Sequence, residues 1–293
     1  MSALLLSVIF LMRFIQSTCE KKSSNYLSEK KDYFHYGAFR QTVSALFALA
    51  LLLFAGDGLV FDLPTVLLSV LTSFSLTICM FCALAAMKSG TVVLVSMFSG
   101  AGLLVPCIAG IFLFHETIGV FQCIGLLFFF VSAYLLIGSS KKIYTNFSMQ
   151  TLLLIIGAML FNGLTMLSQK MFSYYVPHGN VSLYSCLSFG FAGIALYLLL
   201  FFQSVQSKRK ISPLSKPILL YGTLLSFAVL VISQLATILS STLSSAVLFS
   251  LINGGGTIIA SIVAAILFHE KLTKKSVLGI IIGISSLIII KAL

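Results

Sequence analysis

The sequence predicts an all-α polytopic membrane protein with ten transmembrane helices, arranged as two inverted five-helix repeats. Three observations carry that expectation. Hydrophobic residues make up 59% of the chain and charged residues only 9%, where a soluble globular domain carries about 25% charged residues. The apolar residues fall into ten runs, each close to the roughly twenty residues that a bilayer-crossing helix needs. The chain also resembles itself: shifted by 154 positions, Phe114-His115-Glu116 falls on Phe268-His269-Glu270.

The ten runs are residues 2–17, 36–55, 64–86, 91–114, 119–138, 150–172, 182–203, 215–239, 244–268 and 274–292. Runs of this length, with every backbone group needing a partner inside hydrocarbon, exclude a β-barrel. The first run has no basic stretch before it and no small-residue cleavage site, so it reads as a retained helix and not a signal peptide. Between the first and second lies the longest polar connection, residues 18–35, with Glu20, Lys21, Lys22, Glu29, Lys30, Lys31 and Asp32; it reads as a solvated, mobile loop. Basic connections follow at Lys141-Lys142 and at Lys208-Arg209-Lys210 with Lys216, and short turns join the remaining runs.

The repeat extends well beyond the Phe-His-Glu triplet. At the same offset Val93 and Leu94 meet Val247 and Leu248, Ser96 meets Ser250, and Gly100 and Gly102 meet Gly254 and Gly256. Gly125 and Ser132 meet Gly279 and Ser286. A period near half the chain length means duplication. It divides the chain into residues 1–140 and 141–293. Five helices per copy is an odd number, so the second copy enters the membrane in the opposite orientation, related to the first by a two-fold axis in the membrane plane.

The net charge of +11 does not point to nucleic acid, because the basic residues sit in the connections between apolar runs. Connections after odd-numbered helices hold or adjoin all 18 basic residues except Lys170 and Lys291. Basic loops stay cytoplasmic, so both termini are expected outside a multi-pass protein of the plasma membrane. The six cysteines lie almost entirely in apolar runs and read as small buried hydrophobes. Cys79 and Cys82 have a redox or metal spacing, yet no histidine or acid flanks them.

Ala38-Phe39-Arg40 opening the second helix, the Lys88-Ser89-Gly90 turn into the fourth, and the acid-terminated fourth and ninth helices resemble the EamA family of the drug/metabolite transporter superfamily. The resemblance covers essentially the whole chain. Its most specific part is the Phe-His-Glu stop with glycine nine residues on, at Gly125 and Gly279. His115 and His269 stand where the family usually has a glycine or another small residue before the glutamate. The proline early in helix 4 is displaced to Pro106, with Ala260 at that position of the second copy. The resemblance implies a ten-helix basket, alternating access, and a central cavity lined mainly by helices 1, 3, 4, 6, 8 and 9. It implies a transporter and no particular substrate.

Glu116 and Glu270 admit two readings. As intramembrane acids they would couple transport to protons; as residues beside turns they end one helix and suit the N-terminal dipole of the next. The second reading fits their position better. The other acids lie in loops, which argues against exchange of protons for a cation at a buried carboxylate.

Polar residues inside apolar runs are the candidates for a cavity. Asn162, Thr165 and Gln169 share one face of helix 6, and Ser250, Asn253 and Thr257 one face of helix 9 beside Gly254-Gly255-Gly256. That glycine run reads as close helix packing or as a partly unwound binding point. Ser69, Ser73 and Thr77 form a stripe on helix 3, and Ser226, Ser233, Gln234 and Thr237 lie on helix 8. Serine and threonine commonly bond their own backbone or bridge helices for about 1 kcal/mol each, whereas a buried amide needs partners. Arg13, Arg40 and Lys170 are the cations nearest the membrane interior. They either snorkel to the interface or bind a carboxylate or phosphate.

The expected substrate-binding set is therefore Ser99, Asn162, Gln169, Lys170, Gln234, Asn253, Arg13 and Arg40. No phosphate loop, zinc-binding helix or catalytic acid pair is present, so no enzyme activity, catalytic residue, metal or cofactor is expected. The expected function is secondary transport of a small polar metabolite, an amino acid or a similar zwitterion or anion. Its partners would be that solute and membrane lipid, without nucleic acid, in a monomer or homodimer. A non-transporting membrane scaffold and a lipid or lipid-linked-sugar flippase remain the alternatives.

Overall fold

The computed structural model describes residues 2–24, 26–27, 30–55, 61–87, 100–137, 149–207, 213–269 and 273–291. These form ten helices: α1 (Ser2–Ser24), α2 (Lys30–Ala55), α3 (Leu63–Met87), α4 (Leu104–Leu113), α5 (Val120–Ile137), α6 (Met149–Tyr175), α7 (Val181–Ser207), α8 (Lys216–Leu239), α9 (Ser245–Leu267) and α10 (Lys274–Lys291). Each falls on one of the ten apolar runs. Seven of them (α1, α2, α3, α6, α7, α8 and α9) are long and apolar enough to cross a membrane. The described part of α4 has 10 residues, α5 is also shorter, and α10 carries lysines at both ends.

The helix ends follow local chemistry. Asp62 starts α3 by accepting the Thr65 amide at 3.1 Å, and Asn180 starts α7 by accepting the amides of Ser182 and Leu183. In both cases a short polar side chain satisfies N–H groups that the first turn leaves open. The Phe-His-Glu stops share one backbone conformation. Phe114 and Phe268 end their helices at φ −116° and −109°, and His115 and His269 follow at φ 52° and 51°. That left-handed conformation is the one glycine adopts freely. It explains why a small residue serves the position and why histidine, one of the side chains more often found there, can replace it.

One expectation needs correction. Residues 18–35 are not a solvated loop: α1 runs on to Ser24 and α2 begins at Lys30. Glu20, Lys21 and Lys22 are good helix formers, and Gln16 donates to Glu20 one turn on. Cys19, Leu27 and Tyr36 bury together against Ile218 and Leu225 of α8, and the Tyr36 hydroxyl pairs with the Ser23 hydroxyl at 2.7 Å. His35 accordingly lies inside α2, edge-on to the Tyr197 ring.

The helices pack in a basket. α5 lies on α10, α2 on α7 and α8, α3 on α6 and α7, α1 on α8 and α9, and α4 on α6 and α9. Hydroxyls fasten several of these seams. Ser73 donates to the Ser188 carbonyl at 2.6 Å and Ser69 to that of Tyr184, so the α3 stripe binds α7. Ser44 donates to the Ser226 carbonyl, while the Ser226 hydroxyl returns to that of Arg40. Ser132 donates to the Gly279 carbonyl at 2.7 Å, placing the small-residue face of α10 on α5. The largest apolar cluster joins Leu6 and Ile9 of α1, Phe129, Met166 and Ile232 with Leu248, Phe249 and Ile252 of α9. α9 is therefore the central helix, and it stays helical through Gly254-Gly255-Gly256.

Candidate functional site

Between the helices lies a cavity of about 540 Å³. Its polar lining comes from Arg13, Gln16 and Glu20 of α1, Asn162 and Gln169 of α6, and Asn253 and Thr257 of α9, with Thr72, Tyr184 and Ser233. Phe129 and Phe130 of α5 and Phe189 and Phe249 supply an apolar wall. α5 and α7 thus join the helices expected to line it, while the contribution beside α4 is Gly100, ahead of that helix.

The glycines of α9 fix the position of α1. A side chain at Gly255 would strike the Phe10 ring, and one at Gly256 would crowd the Arg13 side chain. Close packing is therefore the role these glycines fill, and it brings the Arg13 guanidinium to Asn253. Arg13 donates from Nη1 to Gln16 Oε1 at 2.9 Å and from Nη2 to Asn253 Oδ1 at 3.5 Å. Its Nε is buried and has no hydrogen-bond partner among the described residues. Asn253 in turn directs Nδ2 at the Met166 sulfur, 3.5 Å away, a weak acceptor. The guanidinium has five N–H donors and uses two of them on Gln16 and Asn253, so the cation and the amide line the cavity with Nη donor capacity to spare. Deeper in, Gln169 Nε2 donates to Ser233 Oγ at 2.9 Å.

The structure gathers Arg13, Asn162, Gln169 and Asn253 of the expected set around this cavity and leaves three others outside it. Arg40 lies over the Tyr36 ring, 5.6 Å from its centre. Gln234 donates to Ser182 Oγ at 3.2 Å and lines a separate hollow of about 890 Å³ with Asp62, Tyr175, His178 and Asn180. Ser99 lies outside the described residues, as does Glu270.

Lys170 is neither snorkelling nor open to the cavity. Its ammonium sits 2.7 Å from Glu116 Oε1, with the two side chains 7% and 12% exposed. It also donates to the carbonyls of Ser240 at 2.7 Å and Leu243 at 2.9 Å, in the turn between α8 and α9. Glu116 Oε2 accepts the Ser245 amide at 2.9 Å, which puts a carboxylate on the first turn of α9 where the helix dipole favours it. Gly110 leaves room for that carboxylate, since a Cβ there would stand 2.5 Å from Oε2. Both roles expected of Lys170, snorkelling to the interface and binding a solute carboxylate or phosphate, are replaced by this pairing with Glu116. A buried ion pair of this kind costs about 3–5 kcal/mol when one partner is removed.

Three residues of this region escaped sequence reasoning. Gln16 lies one turn from both Arg13 and Glu20, and Tyr184 one turn from Ser188, spacings that could have flagged them. The partner of Lys170 is an acid on the turn between α4 and α5, and only the docking of α6 against that turn reveals it. A faint signal was present: Glu116 closes the repeated Phe-His-Glu motif, and Lys170 is one of two basic residues, with Lys291, that depart from the one-sided placement of the rest.

No curated protein matches the sequence. A solved structure titled "Crystal structure of protein" shares the fold with a TM-score of 0.80 at 12% identity, over 99% of this chain and 96% of that one. Residues 149–292 match the EamA-like transporter family. The chain is thus a multi-pass membrane protein, and its residues 149–292 are similar to the EamA-like transporter family.

Proposed function

We propose that the protein is a secondary transporter that carries a small polar metabolite, an amino acid or a similar zwitterion or anion, by alternating access. The observation that carries the reading is the Arg13–Asn253 pair in the central cavity, where further Nη–H donors of the guanidinium and the amide N–H of Asn253 remain for a carboxylate. Asn162 and Gln169 complete the polar lining, and the phenylalanines would face the rest of the solute. Arg40, Gln234 and Lys170 belong to helix packing in this reading.

Two inverted units, residues 1–140 and 141–293, are the scaffold of the proposal. The helix pairings support them. Advancing each helix number by five turns the α1–α8 contact into α6–α3, α1–α9 into α6–α4 and α2–α8 into α7–α3. The pairs α5–α10, α2–α7 and α4–α9 map onto themselves. Such a two-fold relation is what lets one packing exchange for its mirror across the membrane. The distribution of basic residues supports a plasma-membrane orientation with both termini outside.

Flux into proteoliposomes tests the proposal, with a panel of radiolabelled amino acids and small carboxylates. The expected result is flux of a carboxylate solute that is lost on Asn253→Ala and retained on Gln234→Ala. Absence of flux for every solute would favour a membrane scaffold. Movement of a fluorescent phospholipid between leaflets would favour a flippase.

A further inference from the structure

We infer that the Lys170–Glu116 pair is a latch that holds one end of the cavity shut and parts when that end opens. This rests on the alternating-access reading and adds to it the contact that must break.

The two ends of the cavity differ. At the α1 end the lining runs out to Glu20, which is exposed. At the other end the lining reaches Gln169, Tyr184 and Ala236, and the residues beyond are buried: Lys170 at 6%, Ser168 and Ser245 at 0%, Thr237 and Ser240 at 1%. Thr72 joins Ser168 and Tyr184 through hydroxyl contacts of 2.7 and 2.6 Å, and Tyr184 stacks on Phe172 with ring centres 4.2 Å apart. Lys170 and Glu116 close over this floor. They tie together four pieces of chain: the body of α6, the turn after α4, the end of α8 and the start of α9. No other pair of charged side chains joins so many helices among the described residues, and opening this end requires those pieces to separate.

The same construction recurs at the opposite end. Lys170 stands 5.7 Å from the centre of the Phe114 ring, and Lys21 stands 5.7 Å from the centre of the Phe268 ring. Phe114 and Phe268 are equivalent in the sequence repeat, and each precedes a histidine with φ near 50°. Lys21 lies near the end of α1 as Lys170 lies near the end of α6. A lysine from the first helix of one half therefore meets the aromatic stop of the other half at each end. At the α1 end Lys21 is exposed to solvent, and at the far end Lys170 is only 6% exposed. That difference is what one open and one shut end would give.

The test uses thiol accessibility in full-length protein whose six native cysteines are replaced, with Ser233→Cys as the reporter and a membrane-impermeant maleimide added from either side. The unaltered latch should admit the reagent from the Glu20 side. Glu116→Gln should raise labelling from the far side about tenfold or more, because the lysine is left with a neutral partner, and lower it from the Glu20 side. Gly110→Ala should act in the same direction without removing a charge, since its methyl group displaces the carboxylate and alanine favours the helix. Unchanged labelling in both variants, labelling that rises from both sides together, or loss of folded protein in both would overturn the latch and leave a static fastening. Flux by the unaltered protein alongside such a result leaves the transport reading standing; no flux for any solute of the panel removes that reading itself.

Discussion

Arg13 of α1 reaches Asn253 of α9 across the cavity, Nη2 to Oδ1, at 3.5 Å. The bond is long for a charged donor, and the amide is neutral, so the guanidinium keeps its full charge while its orientation is fixed. Asn253→Asp changes almost nothing in shape and pairs that charge with a carboxylate. Affinity for an anionic solute should then fall further than in Asn253→Ala, by about tenfold or more for a loss near 1.4 kcal/mol. Isothermal titration with the transported solute measures it, and equal affinities in the two variants would argue against Arg13 as the anion site.

Arg13→Lys keeps the charge and loses the planar fork that addresses Gln16 and Asn253 together. Flux in proteoliposomes should drop at least several-fold while thermal unfolding stays near that of the parent. A lysine variant transporting at the parent rate would count against a guanidinium-specific contact.

The left-handed turn at His115 makes a stability prediction. With φ at 52°, His115→Gly should hold or raise the melting temperature, and His115→Val should lower stability by about 1–2 kcal/mol. His269, at φ 51°, should respond alike. Thermal unfolding in detergent decides it; a valine variant as stable as the glycine variant would contradict the assigned conformation.

Gly283 faces the Ser132 hydroxyl, which a Cβ would meet at 2.6 Å. Gly283→Val should therefore push α10 off α5 and destabilise the protein by about 1–3 kcal/mol through overpacking. Gly119→Ala, where a Cβ meets nothing, serves as the comparison, and similar melting temperatures for both would refute the close contact.

Orientation is open to a direct check. A cysteine placed at Lys208 should react with an impermeant reagent only from the cytoplasmic side if both termini lie outside. Reaction from outside intact cells reverses the assignment.

The helices were legible because hydrophobic run length and turn residues are local properties, and α3 and α5 to α10 sit within a few residues of their runs at both ends. The end of α1 was not, because charge alone suggested solvent while Cys19, Ser23 and Tyr36 bury the segment against α8. The site was legible in part. Asn162, Gln169 and Asn253 stood out as amides in apolar helices, and the structure gathers them with Arg13. Gln234 stood out equally and faces elsewhere, while its neighbour Ser233 lines the cavity. One residue turns the side chain by about 100° on a helix, and no stripe on α8 was regular enough to choose between them. Lys170 and Glu116 are 54 positions apart with nothing local to link them; only the docked helices do.

The run of glycines on α9 has a mechanical consequence. Most helix pairs interlock, ridge in groove, and cannot shift without lifting side chains out of their neighbours. Phe10 and Arg13 of α1 instead pack against Gly255 and Gly256, where α9 presents backbone alone. The seams at Ser73–Ser188, Ser226–Arg40 and Ser132–Gly279 are pinned by hydroxyls, whereas at these two glycines α1 meets no side chain of α9. Sliding of α1 by a fraction of a turn over Gly255 and Gly256 would carry the Arg13 guanidinium along the cavity, and the contacts it would have to release are the Asn253 bond and the Leu6 and Ile9 packing on α9.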